Sequence, residues 1–491
     1  MSRPVRTTLF WVAFAVIAAA NIAVALQSLL VLFFWEDEAF NLTVPLNLLQ
    51  GLGYTSDGAL SGSMLTPFDP RISTGPAVLL PAAAIIGLGV DPVIGARLVP
   101  LLYWALLLAG LWILGRRIGG RWAGLLAVAV PLAFDASAFP SPIQGPADFL
   151  GEIPAAALLV WALVVLPRRA WLAGLLVGLA VQAKLIALLA LPAFAVALWA
   201  LTPGTGWARV IATLRRSWLP LVLAGVPTLV VEVAALIALG PADFVEHLRN
   251  IARFVRSGGQ NEAPTTVVGK LAWFVDSWHL PVWAVLIAAI AGVALIVTAL
   301  VRTRRIDRDR LALLLAASVG LVAFLGWWST AAHTPLWVRH PSPGVFAFVP
   351  ILAAFTVWAA QTLWAARDED TEQRPSRRSA VAIGASVAVA VVVAGTGLGV
   401  VQHGVIGASP PTVPTLQAQR DAVAELEPWV DAAEPEWLAA DPWGSAVPII
   451  VMLGAHVGLS DAPAMRDVTR LGFACEEPLA QAAQYIICAA P

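Results

Sequence analysis

The chain has 491 residues, 59% hydrophobic and 12% charged, with a mean hydropathy of +0.80. Soluble domains carry roughly twice that charge, so a string of soluble domains is excluded. A net charge of -1 leaves no basic surplus to displace counterions from a phosphate backbone, which excludes a nucleic-acid binder. The two cysteines, Cys475 and Cys488, both lie near the C-terminus, excluding a thiolate metal cluster or disulfide scaffold over most of the chain. Basic residues are 28 Arg against two Lys, Lys184 and Lys270, which with abundant Ala, Gly and Pro suggests a GC-rich bacterial genome.

Apolar runs of about 20 residues, the length that crosses a hydrocarbon core of roughly 30 Å, recur almost to the end. The first, 9–34, follows only Arg3 and Arg6 and lacks a small-residue cleavage site, so it reads as a retained anchor. Further spans are predicted at 93–115, 122–139, 149–166, 170–183, 185–201, 218–239, 281–301, 311–330, 344–366 and 380–402, about 11 in all. The run 76–89 is too short to span and reads as a helix lying in, or re-entering, the outer interface. A second interfacial helix is expected over 243–256, with Phe244, Leu248 and Ile251 apolar and Arg249, Arg253 and Arg256 along another face.

An odd number of spans with a cytoplasmic N-terminus puts 19 of the 30 basic residues on the cytoplasmic side, Arg116, Arg117 and Arg121 among them, as the positive-inside bias requires. The expectation is a multi-pass protein of the bacterial cytoplasmic (inner) membrane with an extracytoplasmic C-terminus. Of the remaining basic residues, Arg71, Arg97, Lys184, Lys270 and Arg339 lie at or near the outer edge, where that bias does not account for them. Arg97 is expected to pair with Asp91.

The chain divides into a transmembrane domain, 1–402, and a small extracytoplasmic domain, 403–491. The latter is richer in Pro, Glu, Asp and Trp, with shorter apolar runs, and reads as an α/β appendage. Its compartment permits a Cys475–Cys488 disulfide, with two free buried thiols as the alternative.

The first external loop opens Trp35-Glu36-Asp37-Glu38, then an amphipathic stretch with Leu42, Leu46 and Leu49 on one face and Asn41, Asn47 and Gln50 among the polar positions. Gly51, Gly53 and Gly58 turn the chain. A carboxylate at this depth is poorly solvated, which suits a general base, and Asp37 is the candidate. The blander alternative is a solvated helix terminus. Asp148 and Glu152 stand four apart at the head of the 149–166 span and are expected on one helix face.

With Asp37-Glu38 at the end of the first span and Asn47-Leu48-Leu49-Gln50-Gly51-Leu52-Gly53-Tyr54 closing the next stretch, the sequence resembles the membrane glycosyltransferases of the GT-C superfamily. That superfamily includes protein O-mannosyltransferases and bacterial aminoarabinose transferases. Gly95-Ala96-Arg97-Leu98-Val99-Pro100 and the basic turn 115–121 look like the family's next span and cytoplasmic turn. The likeness is good over about residues 9–200 and extends to the rest only in layout; the order and spacing of the motifs carry it.

The resemblance implies an all-α GT-C-like polytopic fold and an inverting hexosyl- or pentosyltransferase. It would take a sugar from a polyprenyl phosphate to an acceptor hydroxyl on a lipid, glycan or protein, with Asp37 as base beside Glu38. It implies phosphate contacts from Arg71, although the gap from Arg71 to Pro76 is longer than the family's. Further contacts are implied from Lys184, preceded by Gly178-Leu179, and from Arg339-His340-Pro341, where His340 stands in place of a Tyr. Glu152, ranked ahead of Asp148, would shape the acceptor or a metal site, which leaves open help from a divalent cation such as Mg²⁺. The scattered histidines suggest no metal spacing. A secondary transporter or flippase for a lipid-linked or anionic substrate is the rival reading. Transporters place broken or charged helices at mid-membrane, and here Glu232 is the one mid-span acid found.

Overall fold

The computed structural model describes residues 3–58, 64–68, 74–137, 142–256, 264–303, 306–368, 375–401, 415–441, 444–475 and 477–490. Arg71 therefore lies outside the described residues, as does the 402/403 boundary between the two expected domains.

Helices dominate, as the composition requires. In chain order they are α1 (Arg3–Leu30), α2 (Glu36–Leu49), α3 (Pro76–Gly87), α4 (Pro92–Ala133), α5 (Glu152–Val165) and α6 (Ala170–Ala183). After a 3-10 segment (Leu185–Ala190) come α7 (Leu191–Leu201), α8 (Gly206–Arg256), α9 (Val267–Asp276), α10 (Val282–Thr303), α11 (Arg308–Thr330), α12 (Ser342–Asp368) and α13 (Pro375–Val401). The predicted spans fall on these helices within the described residues, with 93–115 and 122–139 sharing α4 and 185–201 beginning in the 3-10 segment. Among the described residues seven helices are long and apolar enough to cross a bilayer, whereas α3, α5, α6 and the 185–201 stretch are shorter.

The two predicted spans 93–115 and 122–139 form a single run, α4, folded back on itself where Gly119 and Gly120 leave helical geometry. Gly120 has φ +76°, a backbone state that glycine adopts without penalty. The two arms touch closely: a Cβ on Gly115 would come within 2.6 Å of the Gly124 Cα. Arg310 donates to the Ile118 carbonyl at 2.9 Å, and Arg117 lines a cavity of about 260 Å³ with Asp307, Asp309 and Arg310, so the basic turn and these charges share one end of the bundle. The 20 residues of helix from Arg97 to Arg117 span about 30 Å, one hydrocarbon thickness.

The bundle is built around α12, which packs on α4, α5, α10, α11 and α13 and has 83% of its apolar stretch buried. The α11–α12 contact is close because Gly320 lies under the Phe348 ring and Gly344 under Phe324. By contrast α8 touches α6 and α7 on one side and leaves a broad apolar face outward. Gly240 (φ +76°) breaks α8, so the expected second interfacial helix forms as its last part, with Arg249 and Arg253 exposed and paired to Glu246.

The appendage is α/β, as expected. It holds α14 (Leu416–Ala433), α15 (Ala446–Met452) and five strands, β1 (Trp437–Ala440), β2 (His456–Leu459), β3 (Arg470–Gly472), β4 (Pro478–Ala482) and β5 (Tyr485–Cys488). They form one sheet of order β2-β1-β3-β5-β4, in which β1 runs parallel to β2 and β3. Central β1 buries Leu438, Ala439 and Ala440 in succession, the pattern of a parallel strand covered on both faces. A disulfide joins Cys475 to Cys488, selecting the paired alternative.

This appendage docks on the bundle through polar pairs. Gln419 on α14 accepts the Phe34 N–H and donates to the Phe34 carbonyl, both at 2.7 Å. Arg420 reaches Asp91 at 2.9 Å, and buried Asp57 accepts the Val457 N–H at 2.9 Å while meeting His456 Nδ1 at 3.1 Å. The hydrogen bond to Asp57 holds the His456 imidazolium above its ordinary pKa of 6.5. A group whose folded pKa is raised contributes its full stabilisation below the unfolded value and loses it as pH rises through the folded value. Thermal unfolding of the wild type should therefore lose stability from about pH 6.5 upward. A His456→Ala variant should lack that loss and be less stable at pH 5.5.

Candidate active site

Helix α2 starts abruptly because the preceding helix is stopped by a buried cation. Arg97, on the first arm of α4 and fully buried, uses all five N–H groups. Nη1 donates to the carbonyls of Ser28 (3.0 Å) and Leu32 (2.8 Å), Nη2 to Phe33 (2.9 Å), and Nε and Nη2 grip the Glu38 carboxylate at 2.9 and 2.7 Å. Ser28 belongs to the last turn of α1, whose carbonyls lack helical partners, and Leu32 and Phe33 belong to the connection that follows. Arg97 thus closes α1 and fixes the first turn of α2 at once. The expected Asp91–Arg97 pair is not formed: Asp91 caps α4 through the Ile94 N–H at 2.9 Å and turns outward to Arg420.

Residues 144–149 pack on the same group. Glu38 Oε1 also accepts the Phe149 N–H at 2.9 Å; Asp148 accepts the Gln144 N–H at 2.6 Å and meets Ser28 Oγ at 3.4 Å. Glu38 and Asp148 are therefore buried framework groups with no open face. Since α5 begins at Glu152, Asp148 lies in the loop before it, and the two acids do not share a helix face as expected.

One residue before Glu38, the helix turn of about 100° points Asp37 in another direction. Arg339 Nη1 donates to Asp37 Oδ2 at 2.6 Å, Arg339 Nε stands 3.5 Å from Glu152 Oε1, and Lys184 Nζ meets the same Glu152 oxygen at 2.8 Å. Four of the candidates, Asp37, Glu152, Lys184 and Arg339, thus form one chain of charges. Side-chain exposure is 24% for Asp37 against 1% for Glu152, 6% for Arg339 and 8% for Lys184, so Asp37 is the open member.

Local geometry explains the assembly. Lys184 breaks α6 in an extended conformation (φ -152°, ψ 121°), and its side chain leaves the helix end toward Glu152. A Cβ on Gly151 would collide with the Ala183 carbonyl, and that close approach brings Glu152 under Lys184. The Arg339 guanidinium lies over the rings of Trp35 (5.3 Å) and Trp337 (6.0 Å), which hold it flat. His340 stacks on Trp337 at 5.7 Å. Trp35 Nε1 and His340 Nε2 are buried and find no hydrogen-bond partner among the described residues. Burial and the neighbouring cations Arg339, Lys184 and Lys270 push the His340 pKa well down, so its ring is neutral.

Glu36 sits beside Asp37, and burial raises its pKa to about 7, so near neutrality this carboxyl is partly protonated and the site does not hold a full third negative charge. Among the described residues no three His, Cys, Asp or Glu side chains gather as a metal site. Helix α2 itself departs from expectation: Asn41 and Asn47, expected on a polar face, are buried. Asn41 donates to Thr74 and the Phe149 carbonyl, and Asn47 to Asp57 and the Thr55 carbonyl, because α3 and the appendage cover the helix. The sequence reading missed Trp35, Trp337 and the role of Arg97. A lone arginine inside an apolar span signals a buried acid partner, but not which one.

No protein-family model and no curated protein matches the chain. Solved structures do match in fold. The ArnT protein of Cupriavidus metallidurans, bound to undecaprenyl phosphate, superposes with a TM-score of 0.57 at 12% identity over 100% of this chain and 99% of that one, and its apo state does equally well. The oligosaccharyltransferase of Archaeoglobus fulgidus tethered with an acceptor peptide gives 0.52 at 11% identity, over 92% of this chain and 64% of that one. The chain therefore shares the fold of these two solved membrane proteins, the first of which belongs to the class of aminoarabinose transferases that the motif order resembles.

Breaking the Arg97–Glu38 pair from one side leaves a carboxylate buried without its cation, a loss of about 3–5 kcal/mol. An Arg97→Met variant should show a markedly lower unfolding temperature in detergent. Arg97→Met combined with Glu38→Gln should recover part of it. Equal stability of Arg97→Met and wild type would contradict this account of the framework.

Proposed function

We propose that the protein is an inverting glycosyltransferase that moves a hexosyl or pentosyl group from a polyprenyl phosphate to an acceptor hydroxyl on a lipid, glycan or protein. The observation that carries this reading is the charge chain Asp37–Arg339–Glu152–Lys184, in which the one accessible member is a carboxylate flanked by cations. Asp37 accepts the proton of the acceptor hydroxyl while the acceptor oxygen attacks the anomeric carbon from the face opposite the phosphate. The carbon–oxygen bond to phosphate breaks, and the lipid phosphate leaves with the electron pair. Arg339 and Lys184 balance the charge gathering on the departing oxygen, as preorganised cations in a dry site do. The buried Trp35 N–H and His340 Nε2 are further groups facing unmet hydrogen bonds there. Glu152 holds both cations in place, and Arg71 is proposed as a third phosphate ligand. The undecaprenyl phosphate bound in the ArnT structure of the same fold supports a lipid-phosphate ligand.

The site is proposed to face the outside of a bacterial cytoplasmic membrane, with the N-terminus and the Arg117–Arg310 end in the cytoplasm. This agrees with the gathering of the predicted cytoplasmic arginines about 30 Å of helix away from Arg97. Reporter domains joined at Pro167 and at Ala490 should read inside and outside respectively; the opposite result removes the outward-facing site.

The reaction is tested by incubating purified protein with a panel of polyprenyl-phosphate sugars and following sugar consumption. Asp37→Asn should lower turnover by about 10²–10⁴-fold without changing expression or unfolding temperature, the range by which positioned bases contribute. Near-normal turnover would remove Asp37 from the mechanism.

A further inference from the structure

The last turn of α11 and the segment after it, 331–341, deliver Arg339 to Asp37, and they are gripped from one side. Lys270, on α9, is fully buried, and its Nζ donates to the carbonyls of Trp328 (2.7 Å) and Ala331 (2.6 Å). It also lies 5.7 Å from the Trp328 ring centre. Among the described residues no carboxylate pairs with it. A helix end leaves its last carbonyls without partners and carries partial negative charge, so this cation satisfies two acceptors and the end charge together. A few residues before Lys270, Thr265 completes the grip: its N–H donates to the Ala332 carbonyl at 2.8 Å, and its hydroxyl reaches the Ala332 and Thr334 carbonyls at 3.1 Å each. Trp328 Nε1 then ties down the Pro335 carbonyl at 3.1 Å. The clamp therefore holds the backbone from 328 to 335, and Trp337, Arg339 and His340 follow directly from it.

An ammonium buried against carbonyls alone is an expensive way to end a helix, since an uncharged side chain with the usual water-facing end avoids its desolvation. What the charge adds is a fixed direction for the segment that follows. We infer that Lys270 is a positioning residue for the donor: through the Trp328 and Ala331 carbonyls it sets the 331–341 segment so that the Arg339 guanidinium meets the phosphate. This rests on the reading of the Asp37 site as a lipid-phosphate site. Lys270 touches neither Asp37 nor Arg339 and acts through the backbone between them.

The test uses the full-length protein in detergent, with undecaprenyl phosphate as probe and the dissociation constant as readout. Lys270→Met should weaken binding about tenfold, and Lys270→Arg, which keeps a cation able to reach carbonyls, should stay within about threefold of wild type. Thr265→Val, which removes the hydroxyl of the grip without a buried charge, should weaken binding in the same direction and serves if Lys270→Met is poorly folded. In an Arg339→Ala background, Lys270→Met should cost nothing further, because its effect passes through Arg339. Wild-type binding by both Lys270→Met and Thr265→Val, or full additivity with Arg339→Ala, overturns the inference. Should Arg339→Ala alone bind normally, the phosphate-site reading fails instead.

Discussion

The buried contact between Arg97 and Glu38 is the constraint from which the site follows. Five guanidinium donors close the end of α1, fix the connection 31–35 and anchor the first turn of α2. Two ions deep in an apolar bundle are costly, and they repay that cost only when every donor is used, as here. Its consequence is directional. Once Glu38 is committed to Arg97, the helix turn leaves its neighbour Asp37 pointing toward Arg339 and the open face. Two adjacent carboxylates thereby acquire opposite surroundings, one locked in the framework and one partly open.

The charge chain beyond Asp37 is balanced rather than strongly positive: Glu152 is shared by Lys184 and Arg339, and the aromatic faces of Trp35 and Trp337 hold the guanidinium. Such a balance lets two cations persist in an apolar bundle without a ligand, and under the proposed reading a phosphate that competes for them finds donors already in place. Helix α2 is the shared wall. One end presents Asp37 to the bundle, while the other, through Asn47, Asp57 and the contact with α15, carries the appendage. The appendage thus bears on the same element that aims the carboxylate. Its docking includes a histidine, His456, whose hydrogen bond to Asp57 raises its pKa.

Much of this was legible before the fold was known, because hydrophobic run length reports crossing segments and because charge is rare enough in such a chain that each instance carries meaning. The sequence places Asp37, Arg71, Lys184 and Arg339 at one depth and Glu152 at the head of a span; Asp37, Glu152, Lys184 and Arg339 converge, while Arg71 lies outside the described residues. What one-dimensional reading does not provide is the partner. Proximity in sequence pairs Arg97 with Asp91, six residues away, but its partner lies 59 residues back in the chain. Spacing alone puts Asp148 and Glu152 on one helix face because it does not locate the helix start. Lys270 stands out in the sequence only as an outer cation, since its partners are backbone carbonyls that no side-chain pattern announces. The appendage was legible as α/β from its short apolar runs, but not its strand order, which depends on crossovers between distant strands.

The most direct measurement is an experimental structure of the purified protein with undecaprenyl phosphate. The account predicts the phosphate at the Asp37 end, within hydrogen-bond reach of Arg339 and Lys184, with the Asp37 carboxylate facing the open side of the same cavity. A phosphate seated beside Arg117 and Arg310 at the opposite end, or an Asp37 carboxylate closed off from the bound lipid, would contradict it.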